Sequence, residues 1–380
     1  WFSLEYDEPW KGYGLDGRML TLSFGTDKDG HRLRAKGQLA EALPYPAPQI
    51  KALRIVKEIG QFYAVFTIDR QAKPPPETPQ HLAYIDPNHK NLGYLLDRQG
   101  KAIEIENMPN LKILDRRIDD VKSKRDRCQR RSKRVEFERA DGSMHRHWQP
   151  SRRWRRYNQV LDRLYRLRRE QTKTFLFTIA NALFEAYDGV GIGAYTPRGG
   201  GLNRGMRRSM NNQSLIGRFK KVLTWVAERE GKLFIELSEE GTTRTCHDCD
   251  YVVPGGISPD VRQWDCPHCG SHHIRDENSA RNGFSRLMKK MNLVSGSDYP
   301  VVAQPRERYT WRVMPGEAVR ERPRTDGSPE ARCSSVQCAT HGGSGARSCG
   351  QCQDELNQTQ PEKITALTAP NLSPVSYTHL

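Results

Sequence analysis

The chain has 380 residues, 43.6 kDa in all, enough for two to three domains and a sizeable hydrophobic core. Lys and Arg total 61 against 45 Asp and Glu, a formal charge of +16, so a polyanion is the expected partner and a small acidic substrate is not. Mean hydropathy is -0.79 and no run of about 18 apolar residues occurs, which excludes a membrane-spanning helix.

The first 70 residues alternate in strand fashion, at Met19 to Phe24, then Leu53 to Lys57 and Phe62 to Ile68 about a turn at Gly60. A small antiparallel β-barrel or sheet is expected over 1–70. Residues 71–80, QAKPPPETPQ, carry three consecutive prolines and read as an extended linker. An apolar strand ending in Asp86 follows, then strands near Leu92 to Leu96 and Ile103 to Ile105, a three-stranded meander.

From 111 to 170 the pattern is helical and basic, with 21 Lys or Arg against 9 Asp or Glu. Trp154, Tyr157, Leu161 and Leu164 recur at helical spacing and are expected in the core. Arg152, Arg153, Arg155, Arg156, Arg163 and Arg166 then lie mainly on other faces, where they can hold phosphates. Trp148 could stack on an unpaired base. A second helix carries Leu176, Ile179, Ala180, Leu183, Phe184 and Tyr187 on one face and leads into a short strand, GVGIGAY. Residues 213–230 form another helix and Lys232 to Leu237 another strand, so the sheet is expected to be partly parallel. Gly199, Gly200 and Gly201 with Arg198, Arg204, Arg207 and Arg208 form a basic loop suited to guiding a nucleic-acid strand. Residues 295–380 are rich in Pro, Gly, Ser and Thr and are expected to be mostly disordered.

Nine cysteines, four of them in two C-x-x-C pairs, point to metal binding in a reducing compartment, and hence to a cytoplasmic protein. Sixteen residues separate Cys249 from Cys266, so Cys246, Cys249, Cys266 and Cys269 have the spacing of a four-cysteine zinc ribbon. Four thiolates close a tetrahedral shell and leave no position for a catalytic water, so the zinc is structural. His247, His268, His272 and His273 are assigned to the surface. Cys333, Cys338, Cys349 and Cys352 are irregularly spaced, and Cys128 stands alone.

Asp86, followed by Pro87 and Asn88, should project from a strand end, and Asp276 lies between the second knuckle and a helix. Each alone reads as a turn or cap residue. Their combination with YIDPNHKN, the unit from Arg152 to Gly193, GTTRTCHDC, WDCPHCG and RDENSARN resembles the RuvC-like half of TnpB, the OrfB-type proteins of insertion sequences, with their relatives among type V CRISPR effectors and Fanzor proteins. The resemblance spans roughly residues 82–290.

It implies an α/β, RNase H-like (RuvC) nuclease domain over 81–245 with basic helices at 111–187. A zinc ribbon at 246–270 and a last RuvC segment at 271–294 would follow. The region before residue 80 would be a wedge-like domain. The implied activity is RNA-guided, Mg²⁺-dependent cleavage of DNA by two ions, encoded in a transposon or CRISPR locus, with guide RNA and target DNA as partners and no small-molecule substrate. The protein would be prokaryotic and nucleoid-associated when bound to DNA. Because the chain opens at Trp1 without the usual upstream helical insertion, an N-terminal truncation is expected.

Carried over by position, Asp86 is the first metal-binding carboxylate and Asp276 the last. The middle position, usually a Glu after the long helix, aligns with Gly193. A relocated acid is found in some relatives before T-x-T-C-like segments, and Glu240 fits it, with Glu239 and Glu236 as further candidates. If these are ordinary solvated charges, the chain is instead a nuclease-inactive, RNA-guided DNA-binding regulator.

Overall fold

The computed structural model describes residues 3–6, 12–58, 61–69, 73–138, 142–194, 214–258, 261–291, 304–314 and 316–324. The turn at Gly60, the basic loop around Gly199 to Gly201 and the tail cysteines lie outside the described residues.

The N-terminal strands are β1 (Ser3–Tyr6), β2 (Tyr13–Asp16), β3 (Met19–Thr26), β4 (Arg32–Gln38), β5 (Ile50–Glu58) and β6 (Gln61–Ile68). They form two antiparallel sheets of three, in orders β1-β5-β6 and β2-β3-β4, over one core of Tyr13, Leu20, Ile50, Leu53 and Ile55. Among the described residues no ladder joins the two sheets, so the expected barrel takes the form of two facing sheets.

A seven-stranded sheet organises the rest. The meander is β7 (Leu82–Pro87), β8 (Gly93–Asp97) and β9 (Lys101–Ile105), and helix α1 (Leu111–Cys128) follows. Then come a hairpin of β10 (Lys133–Glu138) and β11 (Met144–Gln149), the 35-residue helix α2 (Arg152–Ala186), strand β12 (Gly189–Gly193), helix α3 (Ile216–Glu230) and strand β13 (Leu233–Leu237). Short strands β14 (Gln263–Asp265) and β15 (His272–Ile274) precede helix α4 (Arg275–Lys290), and β16 (Glu307–Val313) and β17 (Val319–Pro323) close the order. The sheet runs β13-β12-β7-β8-β9-β16-β17, with β12 parallel to both β7 and β13 and β16 parallel to β9.

Strand β7 is apolar at nearly every position because both its faces are covered. Ala83 and Ile85 face α2 and α3, whereas Leu82 and Tyr84 pack with Ala280, Phe284 and Leu287 of α4. The same alternation puts Asp86 on the α4 side, at the C-terminal end of β7 and next to the end of β12. Asp188 anchors the opposite end of these strands: its carboxylate accepts from the backbone N–H groups of Gln80 (3.2 Å) and His81 (3.1 Å) and from Lys232 (3.0 Å).

Three expectations are corrected here. The basic segment 111–170 is not helical throughout, since residues 133–149 form the β10–β11 hairpin, with the period-two patterns RVEFE and MHRHWQ. The two expected helices after it are one continuous α2. Its C-terminal half packs on the sheet through Phe175, Ile179 and Leu183, while Tyr157, Leu161 and Leu164 in its N-terminal half pack on Leu114, Ile118 and Val121 of α1. Residues 307–323, expected in a disordered tail, add two strands to the sheet, because alternation buries Trp311, Val313 and Val319 in the main core.

Candidate active site

Asp86 sits half-buried at the end of β7, and its Oδ1 accepts a hydrogen bond from Ser279 Oγ of α4 at 2.7 Å. Burial pushes its carboxyl well above the usual range. The Ser279 hydrogen bond opposes this, while the charges of Glu239 and Asp276 push the same way as burial. Asp86 therefore lies within electrostatic reach of both Glu239 and Asp276.

Glu239 reaches this cluster because of Gly193, the last of three glycines on one face of β12. In β12, Val190 and Ile192 face the α2 and α3 layer, so Gly189, Gly191 and Gly193 all face α4. A Cβ on Gly189 would meet Leu82 at 2.6 Å, and one on Gly191 would meet Leu287 at 3.1 Å and Tyr84 at 3.2 Å. At Gly193 it would stand 1.9 Å from Glu239 Oε1 and 2.6 Å from Glu239 Cγ and Cδ. The Glu239 side chain thus fills the volume that a side chain on residue 193 would take. Its Oε1 is buried without a hydrogen-bond partner, and burial pushes the carboxyl up to about 7, against a smaller opposing pull from Lys220.

Glu240, the expected middle acid, is exposed and lies outside this cluster. The turn decides between the two neighbours. Arg286 of α4 donates to the carbonyls of Ser238 (2.6 Å) and Glu240 (2.7 Å), and the Thr242 hydroxyl donates to the Glu239 carbonyl (2.9 Å). With the backbone held this way, Glu239 turns in and Glu240 turns out. Glu236 is also exposed, paired with Lys220 at 3.0 Å.

Asp276, in the first turn of α4, accepts from Asn88 Nδ2 at 2.9 Å and from Arg275 and Arg262 at 3.3 and 3.4 Å. It is no helix cap, since Ile274 holds that position. The rest of RDENSARN was not singled out residue by residue from sequence, yet it joins α4 to the knuckle. Asn278 and Asn282 each donate to the Thr245 carbonyl at 2.8 Å, Asn282 also to Thr242 at 2.8 Å, and Arg281 pairs with Asp248 at 2.6 Å. Polar residues at i, i+4 spacing in a buried helix were the available signal.

The sulfurs of Cys246, Cys249, Cys266 and Cys269 all lie within 4.8 Å of one another, an arrangement that could hold a metal ion. The backbone turns match on both sides: Asp250 N–H donates to Cys246 O and Gly270 N–H to Cys266 O. His268 and His272 are exposed as expected, but His247 and His273 are buried, a correction to their surface assignment. His247 is enclosed by Asn278 and Asn282 of α4, and the Trp264 ring lies tilted against His273.

Arg152, Arg153, Arg155, Arg156 and Arg163 are all exposed on the N-terminal half of α2, held away from the sheet by the α1 contact and by the Arg168–Asp115 ion pair (2.5 Å). Trp154 is half-buried under the Arg125 guanidinium (5.6 Å), and Trp148 is 56% exposed on the hairpin. No described helix is long and apolar enough to cross a membrane.

The chain thus combines a mixed α/β sheet, carboxylates near adjacent strand ends, and a helix bound to a four-cysteine module. Residues 217–283, which run from α3 through the cysteine module into α4, match the family model described as Cas12f1-like, TNB domain. The TnpB-like proteins L79 and R854 of Acanthamoeba polyphaga mimivirus are each 25% identical to this chain over 138 residues, 35% of its length. The matched region spans about a quarter of those relatives, 26% and 25% respectively. Among solved structures, a Cas12f1–sgRNA–target DNA complex aligns over 71% of this chain and 61% of its own at 12% identity and a TM-score of 0.45. The mini-RNA-guided endonuclease CRISPR-Cas_phi3 aligns over 67% and 53% at 12% identity and a TM-score of 0.35. The similarity to the family model thus covers residues 217–283, and the similarity to the TnpB-like proteins covers 138 residues.

Proposed function

We propose that this chain is an RNA-guided, Mg²⁺-dependent DNA endonuclease of the TnpB kind, with Asp86, Glu239 and Asp276 as its metal-binding carboxylates. The observation that carries the reading is the Glu239 carboxyl lying in the space of the absent Gly193 side chain, beside Asp86. An acid missing from β12 is replaced by one from the turn after β13, so Gly193 need not mark a dead nuclease. Glu240 takes no part.

The donor set suits Mg²⁺: all oxygens, all carboxylates, with a buried Glu239 oxygen lacking any protein donor. When bound, Mg²⁺ would activate a water and stabilise the leaving oxygen of a phosphodiester. The residues do the positioning. Ser279 fixes one oxygen of Asp86, Asn88 fixes one of Asp276, and Arg286 holds the turn that points Glu239 inward. Strand order supports an RNase H-like assignment, with three antiparallel strands (β9, β8, β7) followed by two parallel ones (β12, β13). The four cysteines suit one structural zinc, which would hold the loop that α4 grips. The exposed arginines of α2 would neutralise phosphates of guide RNA or of its duplex with target DNA, and the two N-terminal sheets would form the wedge-like part.

The test is Mg²⁺-dependent cleavage of a plasmid library with randomised flanks by the particle co-expressed with its native flanking locus, comparing the parent with Glu239→Ala and Glu240→Ala. Cleavage beside one short motif that survives Glu240→Ala and is lost in Glu239→Ala is expected. Motif-dependent binding without cleavage by the parent would make this a guided binder instead, and loss only in Glu240→Ala would restore the other acid.

A further inference from the structure

We infer that Tyr84 is a positioning residue for Glu239, its hydroxyl donating to the Glu239 carboxylate when the site is charged with metal. This deepens the proposed function and rests on its assignment of Glu239. Tyr84 lies two residues before Asp86 on the same face of β7 and is fully buried. Its ring occupies the space of two absent side chains: a Cβ on Gly283 would stand 2.0 Å from its Cε1 and 2.6 Å from its hydroxyl oxygen, and one on Gly191 would stand 3.2 Å from its Cδ2. Gly191 and Gly193 are alternate residues of β12, so Tyr84 and Glu239 fill neighbouring clefts on one face of the sheet.

Both side chains carry a buried oxygen without a hydrogen-bond partner, Tyr84 Oη and Glu239 Oε1. Unpaired buried polar atoms are rare in folded proteins, and two in neighbouring clefts call for a common explanation. Phenylalanine would fill the Tyr84 cleft equally well, and the hydroxyl adds only a desolvation penalty unless it gains an acceptor. Once Glu239 is ionised and one of its oxygens faces an ion, the other becomes a strong acceptor for Tyr84 Oη. That bond would fix the carboxylate's rotation, as groups behind metal ligands commonly do.

The experiment compares Tyr84→Phe in the parent and in Glu239→Gln, each as the guide-RNA particle, by three readouts. These are melting temperature in EDTA, Mn²⁺ affinity by electron paramagnetic resonance, and the Mg²⁺ concentration giving half-maximal cleavage. In the parent, Tyr84→Phe should leave the EDTA melting temperature equal or higher, weaken Mn²⁺ binding by about ten- to a hundredfold, and raise the half-saturating Mg²⁺ alike. Most of the maximal rate should remain. In Glu239→Gln the second substitution should change nothing further. Parental Mn²⁺ affinity in Tyr84→Phe, an equal loss in both backgrounds, or a lowered EDTA melting temperature with unchanged affinity would overturn the inference while Glu239 stands. If Glu239→Gln itself binds Mn²⁺ and cleaves like the parent, the assignment of Glu239 fails and the role of Tyr84 with it.

Discussion

Replacing Gly193 by alanine is the sharpest test of how the acidic site is built. The new Cβ would lie 1.9 Å from Glu239 Oε1 and 2.6 Å from Cγ and Cδ, closer than any real pair of these atoms comes. Gly193 cannot yield, because β12 is hydrogen-bonded on both sides and Gly193 itself pairs with Leu237. The Glu239 side chain must move. Held in place, the overlap costs about 1–3 kcal/mol, so swinging out to solvent is the cheaper response and the carboxylate leaves Asp86. Gly193→Ala should then melt within about 1 kcal/mol of the parent yet lose about a hundredfold or more in Mg²⁺-dependent cleavage, as a displaced metal ligand would. Gly193→Glu combined with Glu239→Ala should recover part of that loss by supplying the carboxylate from the strand end, whereas Gly193→Glu alone should not, because two acids then compete for one space. Cleavage of the plasmid library at several Mg²⁺ concentrations, with thermal melts as the folding control, reads all three variants. Parental cleavage and Mg²⁺ dependence in Gly193→Ala would refute the reasoning.

In ion-free protein the weakened acidity of Glu239 should appear as pH-dependent stability. The folded-state value of about 7 lies above the ordinary 4.5, so the stabilisation is complete below about 4.5 and is lost as pH rises through about 7. Melting in EDTA should show that slope in the parent and a flatter one in Glu239→Gln; equal slopes would contradict it. Asp188 has the opposite sign: hydrogen bonds from the His81 backbone, Lys232 and the Gln80 backbone hold its carboxyl down at about 2, so its contribution is present above about 3.8 and is lost as pH falls through about 2. Asp188→Ala should therefore lower stability by roughly 1–3 kcal/mol at pH 7 and by much less in strong acid, as read by urea melts. Elemental analysis should find one zinc per chain, about one equivalent by the four-thiolate rule. Cys266→Ser should speed hydrogen exchange at the start of α4, where Asn278 and Asn282 grip the knuckle; unchanged exchange there would separate the two elements. Changing Arg152, Arg153, Arg155 and Arg156 together to Gln should reduce the salt slope of guide-RNA binding by roughly 3, at about 0.7 per phosphate contact, and an unchanged slope would move the phosphate path off α2.

Much of this protein was determined by local pattern. Period-two alternation marked β3, β5 and β6, short apolar runs marked the β7–β9 meander, and helical spacing marked the buried faces of α2 and α3, because each pattern is the footprint of burial on one side or on both. The paired C-x-x-C motifs foretold the cysteine cluster, since two thiols at that spacing can face a single point. Asp86 was legible as a polar residue ending an apolar strand. Tertiary structure decided what depends on volume contributed from elsewhere in the chain. Glu239 and Glu240 are chemically identical neighbours beyond a strand end, where alternation no longer assigns a side. The choice between them is made by the cleft over Gly193 and by Arg286 holding the turn. The β16–β17 pair escaped because the segment around it is rich in Pro, Gly, Ser and Thr, and only docking beside β9 makes Trp311 and Val313 core residues. The glycines of β12 carried the missing signal: three on one face of a buried strand reserve space for larger neighbours, and only the folded chain names Leu82, Tyr84 and Glu239 as the side chains that take it.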